Sequence, residues 1–75
     1  MPKGYSGIFI IKFLMKHFDF VVDRQKGSHV VLKGFRYGKI ETAVVPLHKE
    51  LSHGTLRSIL DMAKLEYSEF RKMME

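Results

Sequence analysis

From Ile8 to Phe18 apolar residues recur at helical spacing, at Ile8, Ile11, Leu14, Met15 and Phe18, with Lys12 and Lys16 on the other side. Ser6 suits an N-cap, so the spacing predicts a first helix over 8–18, after a loose lead-in from Met1 to Tyr5. Phe9, Ile10 and Phe13 are apolar too, and so β-branched and aromatic a segment has strand character. Two lysines at i and i+4 decide for a helix. Phe9 and Phe13 then fall beside those lysines, where they either form an exposed aromatic pair that enlarges an apolar patch and suits an interface with a protein partner or a second copy, or are simply wrapped inward by so small a domain.

Past Asp19 the period changes to two. Residues 20–25 read as a strand, with Phe20 and Val22 on one face and Val21 on the other. Lys26, Gly27 and Ser28 turn the chain into a second strand over 29–33. Its alternation sets His29, Val31 and Lys33 opposite Val30 and Leu32. Residues 34–39, with glycines at 34 and 38, read as a basic hairpin loop, and a third strand over 40–45 stops at Pro46. A connection holding His48 leads to a second helix that begins near Ser52 to Thr55 and ends around Lys64, with Leu56, Ile59, Leu60 and Ala63 as its core face. A short third helix over about 67–74 offers Phe70, Met73 and Met74. This order predicts a single α+β domain over 1–75: a three-stranded antiparallel sheet with helices on one face and the other face open.

Seventy-five residues bury a limited core, which makes an oligomer such as a homodimer, or a tight partner, a natural expectation. The chain has no cysteine, hence no disulfide or thiolate metal site, and suits a reducing cytoplasm. It has no run of eighteen apolar residues and no signal-peptide pattern, so a soluble, unprocessed protein without a membrane segment is expected. The formal charge of +5 is unevenly spread: residues 1–39 carry eight cations and two anions, residues 40–75 five and six. The first half is therefore the polyanion-facing half.

Within that half, Arg24-Gln25-Lys26-Gly27-Ser28-His29 concentrates chemistry. Glycine lets a ligand approach the backbone closely, and histidine is the side chain whose ordinary pKa lies nearest working pH. The same residues also suit a plain basic turn whose histidine merely starts a strand. If the turn acts on RNA, the substrate brings its own nucleophile, the 2′-hydroxyl. Cleavage then needs a base, an acid for the leaving 5′-oxygen and cations for the crowded phosphate. His29 is the candidate proton-transfer group, with Arg24, Lys26 and the Gly27 and Ser28 amides as charge stabilisers. His48 is either a second proton carrier or a loop histidine touching phosphate, and Arg57, in the first turn of the second helix, is a candidate phosphate contact. His17 and His53 read as solvated. No cofactor is called for, and His29, His48 and His53 share no metal-binding helix spacing.

The Arg24 to His29 block, a strand ending Val45-Pro46 with His48 two residues on, and Gly54-Thr55-Leu56-Arg57-Ser58-Ile59-Leu60 together resemble the HicA family of mRNA interferase toxins, also called YcfA-like, over about residues 8–75. The resemblance implies a double-stranded-RNA-binding-domain-like fold, metal-independent cleavage of mRNA, and a HicB-type antitoxin as partner. It maps the family's catalytic histidine, in Gly-Ser-His, onto His29. Two departures are Asp19-Phe20 where the family usually has Gly-Phe, and Ile8-Phe9-Ile10 where its first helix is lysine-rich. Three functions fit these residues: an endoribonuclease, a non-catalytic RNA-binding module of the same fold, and a small interaction protein docking through helix 1. Cleavage separates the first from the second, and a neighbouring antitoxin gene supports the first over the third.

Overall fold

In the computed structural model, residues 4–75 are described, so the expected lead-in at Met1 to Lys3 lies outside the described residues. The element order is α1 (Gly7–Phe18), β1 (Val21–Lys26), β2 (His29–Arg36), β3 (Lys39–Pro46), α2 (His53–Met62) and α3 (Tyr67–Met74). This is the α+β arrangement expected, with the antiparallel sheet ordered β1-β2-β3.

Local chemistry sets the helix ends. The Ser6 hydroxyl accepts from Phe9 N–H at 3.0 Å, and Ser52 does the same for Thr55 N–H at 3.1 Å, so each serine satisfies one orphan donor of its first turn. Asp19 closes α1 in the left-handed region at φ 59°, and the Phe20 N–H reaches back to the Leu14 carbonyl at 3.2 Å. Aspartate thus fills a position that favours glycine.

The core face of α1 differs from the expected one. Ile10, Phe13 and Leu14 are buried, while Ile8, Phe9 and Met15 are exposed and Ile11 and Phe18 only partly covered. Apolar side chains occupy almost every turn of this helix, so periodicity alone leaves its rotation undetermined. Phe13 is only 4% exposed, so of the two readings the inward one holds for it; Phe9 stays exposed and stacks on Tyr5 with centroids 5.3 Å apart.

Two further differences lie in the sheet. Phe20 precedes β1 instead of starting it and is buried, whereas all six β1 residues are exposed and a bulge interrupts the register between Val22 and Arg24. The expected 34–39 loop contracts to Tyr37 and Gly38, both at positive φ, as a tight two-residue hairpin demands. Gly34 lies inside β2 because the Phe20 ring rests against it: a Cβ there would sit 2.5 Å from that ring. Arg36, read as a loop cation, instead donates to the Ala63 and Lys64 carbonyls at 3.2 and 2.9 Å and covers the Phe18 ring, tying β2 to the end of α2.

Val30 and Leu32 of β2 and Ala43 and Val45 of β3 meet Ile10, Phe13 and Leu14 of α1 and Leu56, Ile59 and Leu60 of α2. Phe70 of α3 closes this core, fully buried. Met62 and Met74 pack against it, and Met73 is exposed. The helices all serve one sheet face, leaving the other to the odd-numbered residues of β2.

Candidate active site

His29 opens β2 directly after the two-residue turn Gly27-Ser28. Gly27 has φ 61°, the left-handed value that favours glycine at the first position of such a hairpin. Strand register then sets His29 between Lys26 of β1 and Pro46 of β3, so Lys26 is its cross-strand neighbour on the same face. All three turn-side residues, Lys26, Gly27 and Ser28, are exposed, as is His29 itself.

The segment after β3 is pinned on two sides. Leu47 N–H donates to the Ser28 carbonyl at 2.8 Å, and Gly7 N–H donates to the His48 carbonyl at 2.9 Å. These bonds hold His48 beside the turn that carries His29. α2 starts close by, and its Gly54, Thr55 and Ser58 join His29, Pro46 and His48 in lining one shallow groove of about 410 Å³. Its remaining wall is apolar, from Val44, Ile59 and Met62. Two imidazoles and the positive end of a helix thus converge on one concavity, an arrangement suited to an anion that must gain or lose protons.

The other expected contacts scatter. Arg24 lies on β1 and pairs with Asp23 at 2.7 Å, both in solvent contact, so the pair adds little to stability. Arg57 is carried away from the groove: its guanidinium lies 4.4 Å from the Tyr67 ring centroid and lines a separate depression with Asp61 and Glu66. A depression of about 580 Å³ near Tyr37 has the same two carboxylates in its lining and so suits a polyanion poorly. His53 is exposed on α2, as expected, and also bonds the Tyr67 hydroxyl at 3.1 Å. Ser58 was missed as a groove residue, although it lies one helical turn beyond Gly54 and Thr55, and that spacing was a readable signal. Among the described residues, no three His, Asp or Glu side chains are placed to hold a metal ion, and no helix is long and apolar enough to cross a membrane.

Gly7 makes this geometry possible. A Cβ at that position would lie 2.0 Å from the Pro46 carbonyl oxygen, and the clash is with backbone, which has nowhere to turn. Gly7→Ala therefore pushes α1 off the 46–48 segment and strains the bond to His48. The expected loss is about 1–3 kcal/mol, as for other overpacked sites, seen as a lower urea midpoint with an unchanged slope. A variant as stable as the wild type would contradict the close approach.

Neither the curated proteins nor the solved structures contain a match to this chain. The family model described as HicA toxin of bacterial toxin-antitoxin does match, over residues 10–65, a span that runs from α1 to just past α2 and contains both the His29 turn and every other residue of the groove. With most of its length so matched, and with the helices and sheet in the order that the resemblance implied, the chain belongs to the HicA toxin family, the toxin side of a toxin-antitoxin pair.

Proposed function

We propose that this toxin is an endoribonuclease that cuts single-stranded mRNA without a metal, using His29 for proton transfer. The observation that carries the reading is the groove that unites His29, His48 and the first turn of α2. A phosphodiester seated there has its 2′-hydroxyl served by an imidazole base, and its phosphate oxygens face the α2 amides and Lys26. The 2′-oxygen forms a bond to phosphorus as its proton passes to His29. The 5′-oxygen leaves, taking a proton from an acid for which His48 is the candidate. The products are a 2′,3′-cyclic phosphate and a 5′-hydroxyl. An mRNA substrate places the reaction in the cytoplasm, and a HicB-type antitoxin silences it by covering the groove.

The cations around the turn supply affinity without sequence preference, and this can be measured separately from cleavage. RNA binding should fall steeply as salt rises, and Lys26→Ala should weaken it across all sequences while lowering the salt slope by about one. Arg24→Ala acts in the same direction, because it also leaves the Asp23 carboxylate unpaired beside the strand. Affinity indifferent to salt would remove the polyanion reading.

A further inference from the structure

Beyond His29, where it meets the groove, the open face of the sheet carries a second pattern. By register, His29, Val31, Lys33 and Phe35 of β2 share this face with Lys26, Arg24 and Val21 of β1 and with Ile40 of β3. Val31, flanked by Arg24 and Val44, is nearly covered, but Phe35 is 65% exposed and its cross-strand partner Ile40 is 63% exposed. Phe35 takes no part in the core on the other face. The registered positions of the face bear three cations, Arg24, Lys26 and Lys33, of which Arg24 is paired with Asp23 in the bulge beside it.

We propose that this face is a track for the RNA strand beyond the cleaved bond, with Lys33 on its backbone and the Phe35 ring stacked on a base. The inference rests on the endoribonuclease reading for the position of the scissile phosphate at His29. Phe35 lies six residues along the same strand, roughly 20 Å away, so a strand held at His29 and continuing across the sheet passes Lys33 and reaches the ring. Exposed aromatic rings alternating with cations are how single strands are held without base-specific contacts: charge follows the backbone and the ring accepts any base. A second copy of the chain fits the face less well, since Lys26 and Lys33 give both copies the same sign of charge there.

The test uses a fluorescent, single-stranded 2′-O-methyl RNA of about 12 nucleotides, which cannot be cut by attack of its own 2′-oxygen, and reads binding by anisotropy. Phe35→Ala should weaken binding roughly 5- to 150-fold. Phe35→Leu, which keeps an apolar contact with Ile40 but has no ring, should lose nearly as much, and Phe35→Trp should bind like the wild type. Equal binding by folded Phe35→Ala and wild type overturns the track. So does a Phe35→Ala variant that binds RNA normally but no longer binds the purified antitoxin, which would give the face to a protein. If Phe35 matters for binding but the wild type cuts no RNA, the track stands and the nuclease reading fails. If the wild type cuts and Phe35 is immaterial, the reverse holds.

Discussion

His29→Ala should lower RNA cleavage by roughly 10²–10⁴-fold while leaving the fold and most RNA affinity intact. The separation follows from position. His29 is exposed at the first residue of β2 and lies outside the hydrophobic core, so its side chain costs little stability when removed. On the proposed reading phosphate affinity comes mainly from lysines and arginines, none of which the substitution changes. Three controls fix the chemistry. Cleavage by the wild type should persist in EDTA, leave a 2′,3′-cyclic phosphate, and stop when the scissile nucleotide lacks its 2′-hydroxyl, so that DNA is bound but uncut. Purified His29→Ala that cuts as fast as wild type, or activity lost in EDTA, would show the mechanism to be wrong. A wild type that binds several RNAs and cuts none, with no antitoxin carried along over the Gly27 to His29 turn, would identify a binding module.

Phe70→Ala should cost about 3–5 kcal/mol, a large part of the 5–15 kcal/mol typical of a domain. Phe70 is fully buried, and its ring meets Tyr5 and Phe13 edge-on at 5.3 and 5.2 Å and Tyr67 at 6.4 Å. Truncation opens a cavity between α1 and α3 that these rings cannot fill without leaving their own contacts. Urea unfolding followed by circular dichroism reads the loss directly. The residue lies beyond the 10–65 span that defines the family match, so a stability unchanged by the substitution would make α3 an appendage. The packing makes it part of the domain.

The strands and helices were legible because local rules agree with the tertiary structure there. Ser6 and Ser52 stand where caps are required, Gly27 where a turn needs positive φ, and Leu56, Ile59 and Leu60 form one stripe with polar residues around it. α1 was legible as a helix but not in its rotation. A segment apolar on nearly every side gives no preference among faces until Gly7 can approach Pro46 and Phe13 can meet Phe70. Gly34 misled for a related reason: glycine signals a turn when only the neighbouring residues are known, yet here it makes room for the Phe20 ring arriving from another part of the chain.

For the site the same division holds. By itself the sequence determined the chemistry available: one histidine after a glycine-serine turn, cations concentrated in the first half, no cysteine, and a second block opening a helix. Residue type and local spacing suffice for that, because proton transfer and charge belong to the side chains themselves. Only the tertiary structure decided which of these groups meet. The bonds from Leu47 to Ser28 and from Gly7 to His48 hold His48 by His29, and the α2 N-terminal turn lines the same groove, while Arg57, only two residues past Thr55, is turned to Tyr67. At 100° per residue around a helix, two positions are enough to separate a groove from the far side, and no spacing rule says which side the sheet will take.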